Sequence, residues 1–248
     1  ELKQENNYLV DYSDIPEKLV KDAKLIFLNY PSNPIGAVAT KEFYKETITW
    51  AKEHNIVVLQ DHAYSDFYYK DGYSPAFMQT TGAKDVGVEF FSFSKNFSIS
   101  GLRIGFAVGN KEIIRGLKEY NTIFHANIYG AIQDIVVTAL KNHNLLTGHI
   151  KETYSKRIDK ITSKLDELGY SYFKPDGGIF IWLKVKDGYD SQSFFELLLK
   201  KYRIVTMPGH VFGYGGENYI RLSLSLSDEQ IDILIEKLES LNNDLNNR

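Results

Sequence analysis

In FSFSKNFSISGLRIGF (residues 91–106) one lysine stands among serines and phenylalanines, and an arginine follows eight positions later between apolar neighbours. Burying an unpaired cation is expensive, and Lys and Arg are almost never fully buried without a partner. Lys95 and Arg103 therefore read as residues placed for chemistry: an amine able to condense with a carbonyl, and a planar fork able to hold a phosphate or carboxylate. Three more polar groups close short apolar runs: Asn33 in YPSNPIG, and Asp61 and Tyr64 in DHAY. Singly, each has an ordinary explanation. Asn33 before a proline is a turn residue, Asp61 can cap a helix, and Tyr64 can sit in the core with its hydroxyl at the surface.

Together they match the demands of pyridoxal 5'-phosphate, which needs a lysine Schiff base at its carbonyl carbon and an acid to keep its ring nitrogen protonated. Lys95 supplies the first and Asp61 the second. Tyr64 and Asn33 can stabilise the phenolic oxygen of the ring, while Ser92 and Arg103 offer a hydroxyl and a fork to the phosphate.

These residues need elements that bring them to one edge. Short apolar runs alternate with amphipathic segments: KLIFLNY (24–30), a helix capped by Thr40 and ending near His54 and Asn55, IVVLQ (56–60), VGVEFFS (86–92) and LRIGFAVG (102–109), with Asn110 opening another helix. Runs without alternation read as buried parallel strands, and open α/β sheets place ligands beyond the carboxyl ends of such strands. From 128 to 168 the pattern is helical, with a break near 142–144 and Gly169 at the helix end. The strands YSYFK, GIFIWLKV, RIVTM and YIRLSLS then mix with helices over 191–201 and 228–241, the last with Ser227 and Gln230 at capping-box spacing. The expectation is an α/β chain: the remainder of a mostly parallel large, cofactor-binding domain (1–145) and a smaller C-terminal α+β domain (146–248).

The 248 residues carry a formal net charge of -3 without a basic tract, no cysteine, and no apolar run of membrane length. Nucleic acid and membranes are not expected partners, and a soluble, cytoplasmic protein is expected. His54, His125, His143 and His149 lie in or beside helices without metal spacing, and His62 sits inside DHAY, so no metal is expected. His210, in the glycine-rich MPGHVFGYGG, is expected to border the substrate.

From Lys24 onward the chain resembles the fold-type I pyridoxal phosphate aminotransferases of classes I and II. NPIG is similar to the family's N-P-T-G turn, with Ile35 in place of threonine; DHAY resembles D-x-A-Y, SFSKNFSISGLRIG the lysine loop, and YIRLSLS the carboxylate-binding arginine segment. The resemblance implies that Lys95, Asp61 and Tyr64 are catalytic, that Asn33, Ser92 and Arg103 complete the cofactor site, and that Arg221, with Asn33, binds substrate. By pattern alone Arg221 could equally face solvent. PDGGIFIW (175–182) is similar to a substrate-side strand, in which Gly177 and Gly178 could simply make the turn. The wording NPIGAVATKEFY is most similar to the bacterial branch of aspartate and LL-diaminopimelate aminotransferases. Amino acid and 2-oxo acid substrates and a homodimer follow. A carbon-sulfur β-lyase shares every motif, and a non-enzymatic sensor domain of a transcription regulator is a further alternative. The polar, extended opening, with neither a phosphate-cradling helix start nor a stacking aromatic before KLIFLNY, leads to the expectation of an N-terminally truncated fragment that binds cofactor poorly and is inactive alone.

Overall fold

The computed structural model describes residues 1–124 and 127–246; His125 lies outside them. Its first sheet consists of β1 (Leu25–Asn29), β2 (Val57–Asp61), β3 (Gly87–Ser92) and β4 (Gly105–Gly109), hydrogen-bonded in that order. β1, β2 and β3 are parallel; β4 runs antiparallel to β3, with Ser92 opposite Gly105. The carboxyl ends of the first three strands and the amino end of β4 thus share one edge.

Helix α1 (Glu17–Asp22) precedes the sheet, and α2 (Lys41–His54) makes the crossover from β1 to β2. The α2 stripe of Phe43, Tyr44, Ile48 and Ala51 is buried in one core with Leu28 and Val58. Thr40 Oγ1 accepts from Phe43 N at 3.0 Å, a cap worth about 1 kcal/mol, and Asn55 ends the helix in the left-handed conformation. Helices α3 (Ala83–Val86) and α4 (Phe93–Asn96) flank β3, and α5 (Lys111–Phe124) follows β4. Asn110 Oδ1 accepts from Glu112 N and Ile113 N, so that asparagine does open a helix. The expected strand 102–109 starts later, because Ser100–Leu102 form a 3-10 turn and Arg103 takes a left-handed backbone.

Helices α6 (Gly130–Lys141) and α7 (His143–Glu167) are separated at Asn142, as the pattern requires. Gly169, with φ +67°, terminates the run, and Tyr170 N returns to Leu165 O. Beyond it β5 (Tyr172–Phe173), β6 (Phe180–Lys184), β7 (Met207–Pro208) and β8 (Tyr219–Ser223) form a smaller antiparallel sheet ordered β5-β6-β8-β7. Helices α8 (Ser191–Leu197) and α9 (Asp228–Asn246) pack with α7 on its core of Ile161, Leu183, Phe194, Ile220 and Leu238. Ser227 and Gln230 form the capping box before α9 in both directions.

Two further readings differ from the structure. Residues 203–206 are not strand: Arg203 has φ +55°, and pairing with β8 is confined to Met207 and Pro208. The opening segment is not simply extended, since its 3-10 turns place Tyr8 and Tyr12 in the core with Tyr30, Phe43 and Trp182. Tyr12 Oη lies 2.7 Å from Thr47 Oγ1, so the ring can be buried while its hydroxyl is satisfied.

Candidate active site

The loop after β1 is built by polar side chains. Asn29 Nδ2 donates to Asp61 O at 3.2 Å while its Oδ1 accepts from Asn33 N at 2.8 Å, and buried Gln60 donates to Tyr30 O at 2.7 Å. Within the turn, Gly36 N donates to Ser32 O and Ala37 N to Ser32 Oγ. Gly36 has φ +84°, and a Cβ there would lie 2.5 Å from Pro175 Cβ and 2.8 Å from Gly177 O. Its own carbonyl accepts from Asp176 N and Gly177 N, both at 3.0 Å. The NPIG turn is thus fastened to the turn that enters β6. Gly178, with φ +77°, has the left-handed backbone of a turn glycine, whereas a Cβ on Gly177 would meet Phe67 O at 2.6 Å.

At the end of β2, Asp61 Oδ1 accepts from Ala63 N at 3.0 Å. Burial pushes the Asp61 carboxyl above its ordinary range, opposed by that amide and by His62. The Tyr64 hydroxyl is pushed up to about 12, chiefly by burial; nearby Arg221 and a hydrogen bond with Asn33 act the other way, and Asp61 adds to the rise. Tyr64 therefore keeps its proton at neutral pH. Its ring meets Phe180 edge-on at 5.7 Å.

Arg221 lies on β8 opposite Trp182 and does not simply face solvent. Its Nη1 donates to Asn33 Oδ1 at 2.7 Å, and its guanidinium centre lies 4.3 Å from the Phe180 ring and 5.2 Å from Phe212. Its Nε is buried without an acceptor among the described residues. A cation held on two rings, with a donor left unpaired, has the chemistry of a carboxylate anchor.

Ser92 Oγ caps α4 by accepting from Ser94 N at 3.2 Å, and Asn96 Nδ2 donates to Ser65 Oγ at 2.8 Å, joining the lysine loop to the DHAY turn. Lys95 is half-buried and makes no side-chain hydrogen bond or ion pair among the described residues. Arg103 is exposed, and its Nη1 donates to Ser100 O at 2.9 Å. The structure thus gathers Asn33, Tyr64 and Arg221, with Asp61 within electrostatic reach of Tyr64. Ser92, Lys95 and Arg103 stand at the same sheet edge without a hydrogen bond to that group.

His210, expected to border the substrate, makes its side-chain contact elsewhere in the described residues. Its Nδ1 lies 2.8 Å from Ser191 Oγ at the start of α8, and the residue its loop gives to Arg221 is Phe212. Phe180 and Phe212 were not foreseen as site residues; the alternation in GIFIW, which sets Phe180 and Trp182 on one face, is the only signal for the former. Also unforeseen is a buried group behind Asp61. Glu89 accepts from Phe77 N and Met78 N, and His62 Nδ1 lies 3.0 Å from Glu89 Oε1 without hydrogen-bond alignment. No cluster able to hold a metal ion, and no helix long and apolar enough to cross a membrane, occurs among the described residues.

Residues 1–238 match the family described as aminotransferase class I and II. The LL-diaminopimelate aminotransferase of Aquifex aeolicus is 40% identical over 240 residues, which cover 97% of this chain and 62% of that protein. The solved aminotransferase from Staphylococcus aureus superposes with a TM-score of 0.92 at 36% identity, covering 95% of this chain and 62% of that one. The aromatic aminotransferase from Pyrococcus horikoshii gives 0.92 at 26% identity, over 98% and 66%. The chain spans about six tenths of the length of the curated relatives it matches. With its motifs in order along the chain and its family match running from residue 1 to 238, the chain belongs to the class I and II aminotransferases.

Proposed function

We propose that the protein transfers an amino group between an L-amino acid and a 2-oxo acid, using pyridoxal 5'-phosphate. The observation that carries this is the convergence of Arg221, Asn33 and Tyr64 beside Asp61, at the edge that also presents Lys95 without a side-chain partner among the described residues. The donor set fits the cofactor. Lys95 offers an uncommitted amine to its carbonyl carbon, Asp61 a carboxylate to its ring nitrogen, protonated Tyr64 and the Asn33 amide donors to its phenolic oxygen, and Ser92 and Arg103 contacts to its phosphate. When bound, the cofactor would supply the electron-withdrawing ring that acidifies the α-proton of an amino acid.

The chain's own residues do the rest. Arg221 grips the α-carboxylate through its fork, with Phe180 fixing the plane of the guanidinium, and so selects which bond at Cα is presented for cleavage. Asn33 links that anchor to the Tyr64 turn. Lys95, when its amine is free, is the base that carries the proton from Cα. We further propose that residues 1–145 and 146–248 act as part of a large cofactor-binding domain and as a small domain, and that the protein works as a cytoplasmic homodimer. The names of the curated relatives make LL-diaminopimelate the first amino donor to assay.

The test is to mix the purified full-length protein with pyridoxal 5'-phosphate, reduce with borohydride and map the labelled lysines by mass spectrometry. Selective label on Lys95, abolished in Lys95→Ala, is expected; labelling spread over surface lysines overturns the assignment. A chain that releases pyruvate from cystathionine without an oxo acid acceptor is a β-lyase instead.

A further inference from the structure

The turn that carries Tyr64 is held from behind by a pair that none of the roles above uses. His143, the first residue of α7, sets Nε2 2.9 Å from Asp66 Oδ1, and the Asp66 side chain is only 13% exposed. Burial raises the Asp66 carboxyl and the imidazole opposes that rise, so the carboxylate depends on its partner. One residue earlier, Ser65 accepts from Asn96, the neighbour of Lys95. The His143 ring also meets Phe97 edge-on at 5.8 Å, on the far side of the same lysine loop.

Further along the turn, Phe67 meets Tyr154 of α7 edge-on at 5.1 Å and Lys151 donates to Lys70 O and Gly72 O; nearer Asp66 the packing is open. A cavity of about 370 Å³, lined in part by Asp66, Tyr68, His143, Thr147 and Lys151, opens on one side of the pair. A second, of about 190 Å³, lies on the other among Ser65, Ser92, Asn96 and Phe97. Asp66 and His143 border both cavities, so at this end of the turn it is their contact that bridges the gap to α7.

We propose that Asp66 and His143 are positioning residues, which hold the tyrosine turn and, through the Ser65–Asn96 bond, the lysine loop in the arrangement the site needs. The catalytic meaning rests on the proposed role of Lys95; the mechanical coupling does not.

Amide hydrogen exchange of the chain without cofactor reads that coupling directly. In Asp66→Ala the amides of residues 93–98 are expected to exchange about tenfold faster, with β1 and α9 unchanged. Asp66→Asn, which keeps an acceptor for Nε2, is expected to restore most of the protection. Unchanged exchange at 93–98 in a folded Asp66→Ala chain overturns the proposal, as does equal acceleration everywhere, the sign of a merely structural pair. Should Asp66→Ala fail to fold, His143→Ala gives the same two readings. Borohydride labelling of the full-length protein separates the two claims. If wild-type Lys95 takes no label, the cofactor assignment falls while exchange still decides the coupling; if it does, its label is expected to drop with protection.

Discussion

Gly36 offers the sharpest test of how the two sheets are joined. Replacing it by alanine has two separable costs. At φ +84° an L-residue loses about 1–2 kcal/mol in backbone energy. The new methyl would also stand 2.5 Å from Pro175 Cβ and 2.8 Å from Gly177 O, about 1 Å inside ordinary contact, and overpacking of that kind costs about 1–3 kcal/mol. Gly72 separates the two, since it has φ +83° and nothing within 4 Å of the place a methyl would take. Gly72→Ala should therefore cost only the backbone part. In a chain of this size each kcal/mol lowers Tm by roughly 2–4 °C. Thermal unfolding followed by circular dichroism should show Gly36→Ala falling by roughly 5–15 °C and Gly72→Ala by less than half as much. Equal shifts for the two variants would refute the claim that the NPIG turn is a close-packed joint.

Two further variants probe the site. Arg221→Lys replaces a fork stacked on Phe180 by a point charge, losing a charged hydrogen bond of about 1.5–3 kcal/mol. Calorimetric titration of the cofactor-loaded, full-length enzyme with a non-reactive carboxylate analogue should show affinity falling about 10–100-fold, and an unchanged Kd would remove Arg221 from the anchor. For Asp61→Asn the sign follows from burial. The folded chain holds the Asp61 proton more tightly than the unfolded one, so this group's stabilising contribution is full in acid and lost as pH rises through the raised folded value. Asp61→Asn is therefore expected to be the more stable chain at neutral pH, with the gap closing below about pH 4, the ordinary carboxylate range. Tm measured against pH for both chains checks this, and a gap independent of pH would contradict it.

Local chemistry was the legible part of this sequence. Thr40, Asn110, Gly169 and the Ser227–Gln230 box each act within a few residues, so their types at those spacings suffice to place helix ends. Three of the site motifs were legible for a related reason: NPIG, DHAY and the lysine loop each follow a strand, and the parallel order of β1, β2 and β3 carries them to one edge, whereas Arg221 lies within β8 of the second sheet. What escaped depends on distance along the chain. Asp66 and His143 are 77 residues apart, and no spacing rule joins them. Tyr8 and Tyr12 lie in a polar context but find apolar neighbours from both halves. Arg203 opens a stretch with a strand's composition, yet its left-handed backbone keeps β7 to two residues.

The bond between Asn33 and Arg221 spans 188 positions of the chain. Closing a flexible loop of that length costs roughly 4–5 kcal/mol in chain entropy beyond a constant, more than the about 1.5–3 kcal/mol net worth of one charged hydrogen bond. That bond cannot nucleate folding; it is made only after both sheets have formed and docked. During synthesis, β1, β2 and β3, with Asp61 and Lys95, emerge long before β8. The proposed carboxylate anchor is therefore among the last features the ribosome's product acquires, and a chain stopped before Arg221 lacks the guanidinium assigned to that role even with β1, β2 and β3 complete.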